Sequence, residues 1–106
     1  MSKTEKHIEY YPNGKKKAED GGYKDGQPDG KWTEWYEDGQ KKGEINFKDG
    51  YLDGLQTFWY ENGQKYLERI FKDGKFISEK KWDEDGMELF LDTDGEWYAS
   101  GSNKGE

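Results

Sequence analysis

The residues able to do chemistry are scattered rather than gathered. His7 is the only histidine, and the serines are Ser2, Ser78, Ser100 and Ser102. None of them stands in the strand-to-helix elbow that presents a nucleophile beside its base. Carboxylates are plentiful, at 24, but most occupy Asp-Gly corners, where they make the turn. Glycoside hydrolysis needs two acids set about 5 to 9 Å apart, with one proton held by burial. Nothing in the spacing marks such a pair. "DTDGE" at 92–96 and "DEDG" at 83–86 look like the start of an oxygen-ligand loop for calcium. With Gly95 or Gly86 at the sixth position of that loop, the first falls on Phe90 or Lys81, neither of which is an acid. Cysteine is absent, and no glycine-rich phosphate loop occurs. The sequence therefore assigns no catalytic residue, no cofactor and no metal ligand.

The aromatic side chains form the stronger pattern. Tyr10-Tyr11, Trp35-Tyr36 and Trp59-Tyr60 occupy matching places in a repeat. Neighbours on a strand point to opposite faces, so each pair is expected to bury one ring and expose the other. Which ring is which stays open. An exposed row of rings would grip a protein or a glycan. The competing reading places every ring in the core, because little else is available to form one.

Hydrophobic residues make up 29% of the 106 and charged residues 39%, with no valine. Such poverty in aliphatics ordinarily means disorder. Two features oppose that: an aromatic content of 17% and regularly placed glycines. The net charge of -7 disfavours nucleic acid, whose binding is driven by phosphate neutralisation. It disfavours anionic membrane surfaces for the same reason, and no apolar run is long enough to insert in a membrane. "KKK" at 15–17 is followed by Glu19 and Asp20 and reads as a solvated strand face. With neither cysteine nor a signal peptide, a complete chain is expected to be cytoplasmic.

The segment "YEDGQKKGEINFKDG" at 36–50 returns as "YENGQKYLERIFKDG" at 60–74. Eleven of the 15 glycines follow Asn or Asp, the dipeptides that favour hairpins through type I′ turns. One series of corners is Gly14, Gly39, Gly63 and Gly86; the other is Gly26, Gly50 and Gly74. The period is about 24 residues, which marks a repeat array. Each unit is two strands joined by a tight "Y-E-D/N-G" turn and a longer "K-D-G-x-x-D-G" turn. Strands are expected near 6–11, 15–23, 31–36, 41–47, 55–60, 65–71, 76–82, 87–91 and 96–99, with a β-bulge at Gly21-Gly22. Two-residue turns at Asp38-Gly39 and Asn62-Gly63 would set Trp32 opposite Ile45 and Glu34 opposite Gly43. They would also set Phe58 opposite Leu67, Leu55 opposite Ile70 and Trp59 opposite Tyr66. Apolar pairs then lie on both faces. The expected fold is all-β: an elongated, twisted antiparallel meander of hairpins without helix. It forms one domain over 1–99, in units of about 8–30, 31–54, 55–78 and 79–99, with a frayed tail at 100–106. In the third unit Ile77 and Ser78 replace the second Asp-Gly.

"GKWTEWYEDGQKKGE" and "WYENGQKYLE" resemble the bacterial variant of the MORN repeat (membrane occupation and recognition nexus). Proteins built from it are commonly catalogued as YwqK-family antitoxins of toxin–antitoxin systems. The resemblance spans roughly residues 8–90 and departs at Ile77-Ser78 and in the last 15 residues or so. It implies successive antiparallel hairpins in an elongated sheet and a binding role. The expected function is thus non-catalytic protein binding of an antitoxin or immunity type, with a basic partner suited to the acidic chain. Tyr10, Tyr11, Trp35, Tyr36, Trp59 and Tyr60 are the candidate contact residues. The alternative is a glycan-binding module using the same rings. Open sheet edges make a homodimer a further expectation.

Overall fold

Two kinds of glycine corner build the sheet. At Asp25-Gly26, Asp49-Gly50 and Asp73-Gly74 both residues have positive φ, 51–53° for the aspartates and 81–88° for the glycines. These are the expected type I′ turns. At Gly14, Gly39, Gly63, Gly86 and Gly95 only the glycine is left-handed. There the N–H of Gly39 donates to the Tyr36 carbonyl at 2.9 Å, and the N–H of Tyr36 donates to the Gln40 carbonyl at 2.8 Å. Gly63 repeats this with Tyr60 and Gln64. The turn is a type I turn closed by a left-handed glycine, a three-residue loop, not the two-residue turn expected from Asp38-Gly39 and Asn62-Gly63.

The structure, a computed structural model, describes residues 7–99. Its strands are β1 (Ile8–Tyr10), β2 (Lys16–Glu19), β3 (Tyr23–Lys24), β4 (Gln27–Pro28), β5 (Gly30–Trp35) and β6 (Lys41–Lys48). They continue as β7 (Tyr51–Leu52), β8 (Gly54–Trp59), β9 (Lys65–Lys72), β10 (Lys75–Trp82), β11 (Glu88–Leu91) and β12 (Trp97–Ala99). All pairings are antiparallel, and the main sheet runs β1-β2-β5-β6-β8-β9-β10-β11-β12. β7 pairs with β6, and β3 with β4, as small corner hairpins. No helix occurs among the described residues. The meander is therefore as expected; the expected tail from residue 100 lies outside the described residues.

The register agrees where it was anticipated and shifts at one place. Trp32 opposes Ile45, Glu34 opposes Gly43, Phe58 opposes Leu67 and Leu55 opposes Ile70. Trp59 opposes Lys65 rather than Tyr66, because a bulge separates it from Phe58. The extra loop residue is absorbed there, and the same happens between Glu34 and Trp35. β2 stops at Glu19, so 15–23 is not one strand. Gly21 lies against the Lys31 backbone, where a Cβ would sit 2.5 Å from its N and O. The chain leaves the ladder at this point instead of bulging within it.

The corners stack on one another. The Asp49 N–H donates to the Asp29 carboxylate at 3.0 Å, and the Asp73 N–H to that of Asp53 at 2.9 Å. Gly50 and Gly74 donate to the carbonyls of Pro28 and Leu52, both at 2.8 Å. The second Asp-Gly thus does two things: its aspartate caps the next corner, and its glycine, Gly30 or Gly54, turns the chain into the next long strand. In the third unit Ile77-Ser78 replaces it. There β9 and β10 run on as one eight-residue hairpin, with its irregularity at Ile77.

Principal extents of 58 × 36 × 14 Å make this a single layer. Leu67, 8% exposed, is the one buried apolar residue among those described. Facing residues across a ladder share a side of the sheet. One side carries the row Ala18, Glu34, Gly43, Phe58, Leu67, Lys81. The other carries Thr33, Glu44, Thr57, Glu68, Lys80. We call the first the groove face and the second the ladder face.

Candidate functional site

The Trp-Tyr pairs sit where each long strand enters its turn, and the repeat links them. The Tyr11 hydroxyl donates to the Trp35 carbonyl at 2.7 Å, Tyr36 to Trp59 at 2.6 Å, and Tyr60 to Trp82 at 2.8 Å. Each tyrosine therefore ties its turn to the next unit. Burial, then the nearby Glu61 carboxylate, pushes the Tyr36 phenol above its ordinary pKa; burial and then Glu84 do so for Tyr60. Asn13 and Asn62 add side-chain bonds to the carbonyls of Glu37 and Glu84. In the last two turns Asp83 and Asp92 take the tyrosine's place and accept backbone N–H bonds locally, so the ladder ends.

Four of the five tryptophans lie under a lysine among the described residues, Trp97 under Lys81 at 4.5 Å being one; Trp32 does not. Lys16, Lys41 and Lys65 lie 5.5, 5.9 and 5.7 Å from the ring centres of Trp35, Trp59 and Trp82. Such contacts are worth about 0.5–1 kcal/mol on a surface. The same lysines pair with Glu19, Glu44 and Glu68. The result is a row of tryptophan, lysine and glutamate repeated three times on the ladder face. Its sequence signal is the recurring K-x-x-E at 16–19, 41–44 and 65–68, which sequence reading passed over.

Of the candidate residues, Tyr10 is 58% exposed, while Tyr11, Trp35, Tyr36, Trp59 and Tyr60 are all half-buried. The expected split into one buried and one exposed ring per pair is thus corrected for Trp35-Tyr36 and Trp59-Tyr60. The members do diverge: Trp59 meets Lys41, whereas Tyr60 packs on Tyr66, which in turn touches Phe58. Partial cover from a neighbouring unit, on both sides of a single layer, is why neither member is fully hidden.

A second aromatic feature lies on the groove face and was not anticipated. A concavity of about 320 Å³ is lined by Ala18, Trp32, Gly43, Ile45, Phe47 and Phe58. Trp32 and Phe47 meet edge to face at 5.6 Å. The Phe58 ring crosses Gly43 so closely that a Cβ there would lie 2.9 Å from it. Glu9, Glu19, Asp20 and Glu34 also line the concavity, Glu19 being paired with Lys16, and among the described residues no lysine or arginine does. Its residues come from β1, β2, β5, β6 and β8, too far apart in sequence for a local pattern to show them.

His7 is exposed, with its Nε2 3.8 Å from Glu9. Among the described residues no three His, Cys, Asp or Glu side chains converge as a metal site would require. No helix there is long and apolar enough to cross a membrane.

Residues 6–27, 28–49 and 52–73, more than half of the chain, match the model of the family described as the MORN repeat variant. No curated protein matches the chain, and no solved structure does.

Proposed function

The chain belongs to the MORN repeat variant family, and from that premise we propose that it is a non-catalytic module that binds another protein. Unfinished burial carries this reading. A sheet 14 Å thick leaves its rings half-covered on both sides, with Leu67 alone buried among the apolar residues described. A partner laid on either side would complete that burial, and aromatic rings are the side chains that most often dominate such contacts.

The role is antitoxin- or immunity-like, in which an acidic surface masks a basic partner. The net charge of -7 supports it through complementarity. Tyr10, Tyr11, Trp35, Tyr36, Trp59 and Tyr60 supply the contacts. The alternative is a glycan stacked on the tryptophans. Stacking needs open ring faces, and Lys16, Lys41 and Lys65 lie over those of Trp35, Trp59 and Trp82, which favours the protein reading.

The test is recovery of a partner from the native host by cross-linking and affinity capture on the full chain. A specific protein should be retained at low salt and weakened as salt shortens the screening length below about 10 Å. Trp35→Ala or Trp59→Ala should lower its affinity about tenfold or more, as hot-spot truncation does. Tryptophan fluorescence shifts with oligosaccharides at any salt, without such a protein, would favour the glycan instead.

A further inference from the structure

The two faces differ in how their charge is balanced. On the ladder face, Glu44 and Glu68 are each held by a lysine, Lys41 and Lys65. On the groove face, Glu34 stands between Ala18 and Gly43 across the ladder and has no basic partner among the described residues. Glu9 and Asp20 line the same groove. Among the described residues Glu9 has the exposed His7 near it, and Asp20 accepts backbone N–H bonds from His7 and Gly22. Among the described residues Glu9, Asp20 and Glu34 thus have no lysine or arginine partner, whereas Glu19, Glu44 and Glu68 are each held by a lysine.

The groove has an apolar lining as well. About 320 Å³ lies at the small end of the ~300–1,000 Å³ range of ligand pockets. That space suits one or two side chains. Ile45 and Phe58 supply apolar lining, and Gly43, having no side chain, makes room for the Phe58 ring. The Trp32 indole N–H is buried in the wall without a hydrogen-bond partner. A buried donor left unpaired costs about 1–3 kcal/mol.

We propose that this groove holds a basic, apolar-tipped segment of a protein partner, with an aliphatic side chain between Ile45 and Phe58 and a lysine or arginine against Glu34. The claim rests on the protein-binding reading and sharpens it, since it moves the charge-selective contact from the tryptophan row to the opposite face. Charge selects the occupant: an acidic segment would meet Glu9, Asp20 and Glu34, whereas a cationic one offsets them. The apolar lining then fixes its register.

The experiment uses the full, isotope-labelled chain and nuclear magnetic resonance. The probe is a capped heptapeptide of alternating lysine and leucine; its glutamate–leucine counterpart is the control. The lysine peptide should move the Trp32 indole resonance and the amides of Ala18, Gly43 and Ile45. The glutamate peptide should not. Glu34→Lys should weaken binding about fivefold or more, while Glu61→Lys, at an exposed turn, should change it less than about twofold. Equal effects of the two substitutions, or shifts confined to Trp35, Trp59 and Trp82, overturn the proposal. A host partner lost with Trp35→Ala but indifferent to Glu34→Lys overturns it too, and leaves the protein-binding function standing. Groove shifts with no host partner recovered would instead support the groove and count against that function.

Discussion

Tyr36 and Tyr60 show how one hydroxyl can hold two repeats together. Each donates to a tryptophan carbonyl of the following unit, at 2.6 and 2.8 Å. Removing one such bond with Tyr36→Phe or Tyr60→Phe should cost about 1 kcal/mol, the usual net worth of a hydrogen bond, read as a lower urea midpoint near neutral pH. Both phenols are raised in pKa, by burial first and a carboxylate second. The sign then follows. The unfolded phenol ionises near its ordinary value of about 10, before the folded one does. These groups thus leave stability untouched below about pH 10 and reduce it as pH climbs through their raised pKa. The double Phe variant should lose less stability between about pH 9 and about pH 11 than the parent. An equal alkaline loss in both would show that the two tyrosines are not responsible. The recurrence of these residues was legible in the sequence, but their partners were not. A hydroxyl that donates to a main-chain carbonyl leaves no partner residue type to read. The lysine caps on the tryptophans were missed for a different reason: as solvated charges, Lys16, Lys41 and Lys65 had a sufficient explanation already.

Among the strands, β6 and β8 pose the question of how a ladder ends cleanly. Their pairing holds at Gly43–Phe58 and Glu44–Thr57, after which β6 turns into its corner hairpin with β7. Gln56, 2% exposed, fills the break. Its side-chain amide accepts from the Asn46 N–H and donates to the Asn46 carbonyl, as a neighbouring peptide unit would. Asn46 answers with its own side chain, on the Leu55 carbonyl. Gln56→Leu keeps much of the volume and strips the amide, leaving the Asn46 N–H unpaired while the Asn46 carbonyl keeps the Asp53 N–H at 3.0 Å. The expected loss is about 1–3 kcal/mol, with faster hydrogen exchange at the Asn46 amide than in the parent. Unchanged exchange there would mean that solvent already serves that group. The strands themselves were written plainly: nine were expected and all nine occur, with 15–23 cut short at Glu19. The turn classes were not, since Asp-Gly serves both. What separates them lies beside the dipeptide. In "YEDGQ" and "YENGQ" the Asp38 and Asn62 side chains accept from the Gln40 and Gln64 N–H, both at 2.9 Å, which keeps those residues out of the left-handed region. In the "KDG" corners the aspartate itself goes left-handed and its carboxylate is not used in that way.

At the scale of the whole molecule, the arrangement is one-dimensional: the long-strand, turn and corner contacts all join a unit to its neighbours in the chain. Stability should then be close to a sum of unit and interface terms. That can be tested by removing a unit in phase. Deleting 36–59 joins Trp35 to Tyr60 and restores the native "WYENGQK" at the seam. Every inter-unit contact keeps a partner of the same kind. Tyr11 still reaches the Trp35 carbonyl, Tyr60 that of Trp82, and Lys16 and Lys65 keep their rings. Asp29 meets the corner at Asp73 instead of the one at Asp49. The shortened chain should fold with strand-like circular dichroism, unfold at a lower temperature, and lose about 10 Å of its 58 Å length in solution scattering, two strand spacings of about 4.8 Å each. A deletion of half that length, 36–47, joins Trp35 to Lys48, sets lysine where the tyrosine belongs and should not fold. If both deletions behaved alike, the ordered stacking of Tyr on Trp carbonyl and Lys on Trp ring would not be what holds the units in phase. The in-phase form carries a further consequence for binding. It removes Ile45 and Phe58 along with Trp59, so it should keep its fold while losing affinity for the lysine–leucine peptide.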